Sequence, residues 1–225
     1  MGGEGGKALG KPHDGPISRL LNRRVSTKIS RFIVDRNIGL TPNQVSFISF
    51  ILAIVSGALL AMGRLVIGGI LVQLSSIIDG VDGEIARLRG LSSKRGGFLD
   101  TMLDRYSDIA IYMGVSLYLS TSENLVPGMP LEALFAVIVL AVSGDLAVTY
   151  LHLKGEEAFA RHPATIGPLD SLASRDVRLF IIFISCVTGY PLVGLLLVAL
   201  LSHVYVAVKV VYIYDWAGRL EKGGA

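Results

Sequence analysis

The sequence predicts an all-α, polytopic membrane protein with six transmembrane helices and an N-terminal amphipathic helix at the membrane interface. Two observations support this fold class. The chain of 225 residues is 52% hydrophobic and only 17% charged, whereas roughly 25% of an ordinary soluble domain is charged. The apolar residues are also gathered into runs, which lie at residues 45–63, 65–78, 109–120, 131–152, 179–200 and 203–214.

Some of these runs are shorter than the roughly 20 residues that span a bilayer as a helix. The second and third runs become long enough if their helices continue through residues 75–87 and 99–108. The stretch 177–217 is too long for one span, and it contains Gly189, Tyr190 and Pro191 near its middle. Because Gly and Pro interrupt helices, we expect a tight turn there and six spans between about residues 43 and 217.

The basic residues predict the orientation in the cell membrane. Six spans place both termini on one side, where most Lys and Arg residues lie. The opposite loops contain only Arg64, and the connection 121–130 carries Glu123 and no base. Because cytoplasmic loops are enriched in Lys and Arg, we expect both termini in the cytoplasm. The net charge of +3 then reflects topology and anionic lipid, and no aromatic–basic pattern indicates nucleic-acid binding.

The N-terminal region has two predicted parts. Residues 1–15 begin with a Gly-rich stretch without the apolar core of a cleavable signal, which predicts a flexible linker or a cloning remnant. In residues 16–35, apolar side chains recur every three or four residues with bases mostly between them, which predicts an interfacial helix whose bases face lipid headgroups. A soluble helix with a solvated face is the alternative. Thr41 before Pro42 predicts an N-cap that opens the first span, and residues 218–225 are expected to form a C-terminal tail.

Four aspartates near the cytoplasmic ends of the second and third spans form the main candidate site. Asp79 and Asp82 are three residues apart, and Asp100 and Asp104 are four apart, so each pair shares one helix face. The loop at residues 88–97 reverses the chain and allows all four carboxylates to meet. Carboxylates at close range repel strongly in a low dielectric, so the arrangement requires protonation, basic partners or divalent cations.

Divalent cations fit the chemistry of this stretch. Oxygen ligands suit Mg²⁺, Mn²⁺ or Ca²⁺, and two ions held by shared carboxylates can stabilise the attacking and leaving oxygens of phosphoryl transfer. Gly83 would let a bulky ligand approach the helix backbone. Arg87 lies on nearly the same face as Asp79, where a guanidinium can pair with a phosphate. The alternative is a set of charged helix caps beside a basic loop, such as Asp100 with Arg95.

The pattern Asp79-x-x-Asp82-Gly83-x-x-Ala86-Arg87, eight residues, then Gly96-x-x-x-Asp100-x-x-x-Asp104 resembles the signature of the membrane CDP-alcohol phosphotransferases, also called CDP-alcohol phosphatidyltransferases. The resemblance covers residues 16–217. It implies that an acceptor hydroxyl attacks the β-phosphate of a CDP-alcohol, forms a phosphodiester and expels CMP. It further implies a homodimer.

The same resemblance implies roles for individual residues. Asp79, Asp82, Asp100 and Asp104 would bind Mg²⁺, or alternatively Mn²⁺, with two ions expected. Asp104 would also be the general base that takes the proton of the acceptor. The CDP-binding positions would be Pro42, Asn43, Gln44, Val45, Gly83, Arg87 and Ser93.

The acceptor site is less clearly marked. Arg175 and Arg178 lie one helical turn apart at the start of the fifth span and can hold a phosphate on the acceptor, although positive-inside anchoring explains them equally well. Lys209, within the sixth span, either reaches the interface or contributes to the acceptor pocket. Arg105 balances the acidic cluster. Asp145 is either a buried partner of a polar group or functional.

The stretches DGPISRLLNRR and SRDVRLF are similar to the membrane domains of di-myo-inositol-phosphate-phosphate synthases. This resemblance implies CDP-inositol and inositol phosphate as substrates, and a cytidylyltransferase that is fused or acts as a partner. The alternative is a phospholipid synthase that uses CDP-diacylglycerol with inositol phosphate or glycerol phosphate. Two other classes of protein fit the sequence less well. A divalent-cation transporter needs ionisable groups along its path, whereas the spans here hold few charges. An intramembrane prenyltransferase carries its two acidic motifs on well-separated helices, whereas here both motifs flank one short loop.

Overall fold

The computed structural model describes residue 10 and residues 14–121 and 128–223. These residues form seven α-helices and contain no β-strand. Outside the described residues lie most of the expected linker, at residues 1–9 and 11–13, and Glu123, in the connection after the third predicted span. A π-helical turn, Ser18–Asn22, leads into the first helix. The helices are α1 (Arg23–Asp35), α2 (Pro42–Ala61), α3 (Leu65–Leu88), α4 (Lys94–Leu119), α5 (Leu131–Phe159), α6 (Arg175–Val187) and α7 (Pro191–Gly223).

Local sequence signals explain where several helices begin and end. The predicted N-cap at Thr41 is confirmed: its hydroxyl accepts from the Gln44 N–H at 3.3 Å, while the Gln44 side chain accepts from the Thr41 N–H at 2.9 Å. This reciprocal pairing satisfies donors that the first turn of a helix leaves open. The predicted turn between α6 and α7 is also confirmed, and Gly189 adopts a φ of +83° there, in the region that favours glycine.

Four helices, α2, α3, α5 and α7, are long and apolar enough to cross a membrane. Their outward faces are apolar, since Ile51, Val139 and Leu200 are each more than half exposed. Of the other two expected spans, α4 carries charged residues in its first half and α6 has only 13 residues. The described residues therefore contain four candidate spans rather than the six expected from the apolar runs.

The helices pack around one main apolar core. Helix α2 packs against α3 and α4, α5 packs against α7, and α6 lies against both α3 and α7. Buried residues of six helices meet in this core, among them Ala53, Val72, Ile111, Leu134, Ile182 and Leu195. Helices α2 and α4 cross closely, because a Cβ atom at Gly114 would lie only 2.1 Å from the carbonyl oxygen of Gly57. This crossing fixes α4, which carries Asp100 and Asp104, against α2.

Helix α1 packs on α3 through a polar face. Glu84 of α3 is fully buried and accepts hydrogen bonds from Ser26 at 2.8 Å and Ser30 at 2.6 Å. Arg23, expected to face lipid headgroups, instead pairs with Glu84 at 2.6 Å. Burial lowers the pKa of Arg23, but its hydrogen bond and ion pair with Glu84 outweigh this and raise the pKa above the ordinary arginine value. Apolar Phe32 remains 57% exposed.

Two expected boundaries differ from the structure. Helix α7 continues through Gly223, so residues 218–223 are helical rather than a separate tail. Asp14 and Gly15, which the sequence places in the linker, belong to the folded part, since Asp14 pairs with Arg23 at 3.0 Å. Their position depends on contacts with residues distant in sequence, which local composition does not reveal.

Candidate active site

A cavity of about 510 Å³ lies where the end of α3 meets the starts of α2, α4 and α6. Charged and small polar side chains line it, and all four predicted aspartates are among them. The other wall residues include Asn22, Ser46, Ser76, Arg175 and Asp176. The loop between α3 and α4 thus reverses the chain as expected and brings both aspartate pairs to one cavity.

Three of the four aspartates form a compact group. Carboxylate oxygens of Asp79, Asp100 and Asp104 lie within 4.8 Å of one another. Asp82 is outside this group, because its carboxylate accepts hydrogen bonds from the Ser46 hydroxyl and from the Gly83 backbone N–H. The donor set consists of carboxylate oxygens, which fits a hard divalent cation such as Mg²⁺ or Mn²⁺.

Arg175, the first residue of α6, lies directly against this group. Its Nη1 atom is 3.0 Å from Asp79 Oδ2 and 2.9 Å from Asp104 Oδ1, and its Nε donates to Asp108 Oδ1 at 2.9 Å. One guanidinium therefore offsets the repulsion among carboxylates of α3 and α4. Of the three predicted acceptor residues, Arg175 is the one that lines the cavity.

The other two predicted acceptor residues lie elsewhere among the described residues. Arg178 is 2% exposed; its Nε donates to Asp145 at 2.6 Å, and its Nη1 donates to the Ala173 carbonyl. Lys209 is fully buried and donates to the carbonyls of Ala164 at 3.1 Å and Ile166 at 2.8 Å. These contacts hold the connection between α5 and α6 against the bundle, and they give neither side chain a place in the cavity wall.

A buried charge network lies behind the cavity and joins α4, α5 and α6. Asp145 accepts from Arg105 at 2.7 Å and from the Tyr112 hydroxyl at 3.2 Å, in addition to Arg178. Asp108 pairs with Arg105 at 3.0 Å as well as with Arg175. Asp145 is therefore a buried partner of other polar groups. The sequence analysis missed Asp108, although its position four residues after Asp104 places it on the same helix face.

The predicted nucleotide positions divide into two groups. Five of them line the cavity, namely Pro42, Asn43, Gly83, Arg87 and Ser93. Gln44 and Val45 do not, since Gln44 completes the cap of α2 and Val45 is buried in a small apolar cluster with α1 and α3. Ser93 also caps α4 by accepting from the Gly96 N–H at 3.1 Å. It therefore has a structural role in addition to the predicted nucleotide binding.

The sequence model of the CDP-alcohol phosphatidyltransferase family matches residues 39–214, a stretch that contains Asp79, Asp82, Asp100, Asp104 and Arg175. The chain belongs to this family. Several CDP-alcohol phosphatidyltransferase relatives are similar along most of this chain. A bifunctional IPC transferase and DIPP synthase of Rubrobacter xylanophilus is 41% identical over 191 residues, which are 85% of this chain and 41% of the relative.

Other members of the CDP-alcohol phosphatidyltransferase family differ in length. A bifunctional IPC transferase and DIPP synthase of Aquifex aeolicus is 35% identical over 92% of this chain and 46% of its own length. An archaetidylinositol phosphate synthase of Pyrococcus horikoshii is 32% identical over 83% of this chain and 89% of its own length. This chain thus spans less than half of the bifunctional relatives and most of the archaetidylinositol one.

Solved structures show the same fold. The phosphatidylinositol phosphate synthase of Mycobacterium tuberculosis with CDP-DAG bound has a TM-score of 0.68, with 21% identity over 85% of this chain and 94% of that one. The same enzyme in complex with manganese and citrate also has a TM-score of 0.68, with 22% identity over 84% of this chain and 89% of that one. The arrangement of helices around the cavity is therefore that of the CDP-alcohol phosphatidyltransferase family.

Proposed function

We propose that this chain transfers a substituted phosphate from a CDP-alcohol to the hydroxyl of an acceptor alcohol and releases CMP. The observation that carries this proposal is the shared cavity. The carboxylates of Asp79, Asp100 and Asp104 lie within 4.8 Å of one another, and the predicted nucleotide positions and Arg175 line the same space. Family membership supports the reaction class.

The proposed metal ligands are Asp79, Asp82, Asp100 and Asp104; the carboxylate of Asp82 also accepts a hydrogen bond from Ser46. We propose two Mg²⁺ ions, which Mn²⁺ can replace. Bound there, such ions supply Lewis-acid stabilisation of the phosphate oxygens in the transition state. The oxygen donor set supports this choice, and a solved relative of the same fold binds manganese.

The residues of this chain then have separate tasks. Asn43, Arg87 and Ser93 bind the nucleotide at the starts of α2 and α4 and the end of α3. Asp104 accepts the proton of the acceptor hydroxyl. The deprotonated oxygen forms a bond to the β-phosphorus, the bond from that phosphorus to the oxygen bridging to the α-phosphate breaks, and CMP leaves with the bridging oxygen. Arg175 lies 2.9 Å from Asp104, so a phosphate held by Arg175 places the acceptor beside its base.

For the substrates, we propose CDP-inositol and inositol phosphate. Two relatives that cover 85% and 92% of this chain are named bifunctional IPC transferase and DIPP synthase. Because the chain spans less than half of each, we also propose a fused or partner cytidylyltransferase that supplies the CDP-alcohol. The second candidate is a phospholipid synthase that uses CDP-diacylglycerol, favoured by the similarity to the shorter archaetidylinositol phosphate synthase.

We further propose that the protein crosses the membrane six times, with α4 and α6 as the two additional spans, and that it forms a homodimer. Support for the spans comes from Ile111 of α4 and Ile182 of α6, which are fully buried in the same core as residues of the four apolar helices. The positive-inside pattern places the cavity on the cytoplasmic side. The surface helix α1 would then lie at the cytoplasmic interface.

The test is CMP release by the purified protein with Mg²⁺. CDP-inositol and CDP-diacylglycerol are each paired with inositol phosphate and with glycerol phosphate, and chelation of the metal serves as the control. Release from CDP-inositol alone supports the soluble phosphodiester synthase, whereas release from CDP-diacylglycerol supports the phospholipid synthase. A divalent-cation transporter would instead move cations across a vesicle membrane without releasing CMP, and that result would overturn the proposed reaction.

A further inference from the structure

The N-terminal strap, residues 14–18, forms part of the cavity wall. Asp14, Gly15 and Ser18 line the same space as the carboxylate group and Arg175. The strap precedes the part of the chain that matches the family model, residues 39–214. It is therefore a component of the site that neither the metal-binding pattern nor the predicted nucleotide positions include.

One end of the strap is anchored to α1 and α3. Arg23 binds Asp14 through two nitrogen atoms, at 3.0 Å and 3.2 Å, in the paired geometry that makes arginine–carboxylate contacts specific. Arg23 itself is held by Glu84 at 2.6 Å, and Glu84 is fully buried. The position of Asp14 at the cavity edge is thus fixed through a buried carboxylate of α3.

The other contact of the strap is with the start of α6. The backbone N–H of Ser18 donates to Asp176 Oδ2 at 2.5 Å. A Cβ atom at Gly15 would lie 2.0 Å from Ser174 Oγ and 2.1 Å from Asp176 Oδ1. Any side chain at position 15 must therefore displace the strap or turn Asp176 away from Ser18. The contact with Ser174 is steric, since Ser174 Oγ is buried without a hydrogen-bond partner among the described residues.

These contacts bear directly on the position of Arg175. Ser174 and Asp176 are its two neighbours in the chain, so the strap packs against the residues on both sides of it. The predicted nucleotide positions that line the cavity belong to α2, α3 and the start of α4, whereas Gly15 and Ser18 of the strap lie against the start of α6. We therefore expect the acceptor between the carboxylate group and this part of the strap.

We propose that Gly15 determines specificity for the acceptor, because the strap forms a wall of the acceptor pocket and positions Arg175. This inference rests on the proposed function. Backbone groups and the Asp14–Arg23 ion pair make the wall polar, and Gly15 brings it close to α6. A wall of this kind fits a compact, phosphorylated polyol better than an acyl chain. The strap therefore selects the acceptor, irrespective of which CDP-alcohol is the donor.

The test compares Gly15→Ala with Gly39→Ala in the full chain. Gly39 is a matched control, because it also lies in a loop and a Cβ atom there would meet nothing within 4 Å. For Gly15→Ala we expect the KM for inositol phosphate, measured by CMP release, to rise about tenfold, while the KM for the CDP-alcohol stays within about twofold. Equilibrium binding of inositol phosphate in the presence of Mg²⁺ should weaken by a similar factor. Gly39→Ala should match the wild type in both measurements.

A second variant keeps the test valid if Gly15→Ala fails to fold. Asp176→Asn preserves size and should raise the same KM to a smaller extent, since it weakens a charge-assisted bond. An unchanged KM for the acceptor in both variants, or equal losses for both substrates, would overturn the inference. If the wild type releases no CMP, the proposed function fails and the binding measurement still decides the role of the strap. Absence of inositol phosphate binding by a wild type that still releases CMP would overturn the inference and leave the proposed reaction class standing.

Discussion

Arg175 Nη1, at the start of α6, lies 2.9 Å from a carboxylate oxygen of Asp104, in the first half of α4. The contact joins the proposed general base to the residue proposed to hold the acceptor phosphate. The two residues are 71 positions apart, and ion pairs join α6 to α4 here. This charge pairing would set the distance between the proposed acceptor phosphate and the proposed base.

We predict that Asp104→Asn lowers the rate of CMP release by about 100-fold or more, the usual range for loss of a general base. Asparagine keeps an oxygen that can accept from Arg175, so the cavity should retain its shape. Nucleotide binding should persist, measured as equilibrium binding of CMP with Mg²⁺. Asp215→Asn is the matched control, because Asp215 is exposed and pairs with Arg219 at the end of α7. Near-normal turnover in Asp104→Asn would show that another group takes the proton.

We predict that Asp79→Asn abolishes metal-dependent binding of CDP-alcohol, because Asp79 is proposed to act in this carboxylate group as a metal ligand alone, whereas Asp104 must keep one oxygen free of the metal to take the acceptor proton. Chelation of the metal from the wild type should have the same effect. The measurement is nucleotide affinity at increasing Mg²⁺ concentration, with Asp215→Asn as the control again. An affinity that is unchanged in Asp79→Asn would remove this residue from the metal ligands.

We predict that Asp108→Asn raises the KM for the acceptor more than it lowers kcat. Asp108 is almost fully buried and accepts from Arg175 Nε at 2.9 Å, so it orients the guanidinium without contacting the acceptor itself. Asparagine presents an uncharged oxygen to Arg175, and the guanidinium should be held less firmly. Steady-state kinetics with each substrate varied in turn separate the two constants. Asp108→Glu should restore part of the acceptor affinity; equal losses in both constants would indicate a purely structural role.

We predict that Glu84→Ala destabilises the protein by about 2 kcal/mol or more, because leaving a buried donor without its acceptor costs about 1–3 kcal/mol. It leaves Arg23, Ser26 and Ser30 without their shared acceptor. The measurement is the denaturant or thermal unfolding of the purified protein. Glu221→Ala, at the exposed end of α7, is the control and should leave stability unchanged. A stability equal to wild type in Glu84→Ala would mean that apolar contacts alone hold α1.

The pH dependence of the same pair can be predicted from Arg23. Its pKa is raised in the folded state, so its stabilising contribution is fully present below the unfolded-state value and is lost only as the pH rises through the folded-state value. Both values lie far above neutrality. Between about pH 6 and pH 9, the stability difference between the wild type and Glu84→Ala should therefore show no titration of Arg23.

Much of the candidate site follows from local sequence. The spacings of Asp79 with Asp82 and of Asp100 with Asp104 place each pair on one helix face, and the short loop between the helices brings the pairs together. The cap at Thr41 and the turn at Gly189 are likewise local, since each depends on neighbouring backbone groups. The apolar runs predicted the helices, but they did not distinguish the charged α4 and the short α6 from the four clearly apolar spans.

The sequence by itself determined the all-helical fold, the family and the aspartate group, because helix periodicity and loop length fix which nearby residues share a face. Only the tertiary structure decided which basic residue meets that group. Arg175 lies in the cavity, whereas Arg178, one turn later, is buried against Asp145. It also decided that Gly15 packs against α6. These contacts join segments more than 30 residues apart, and their geometry depends on how helices cross, which no local pattern encodes.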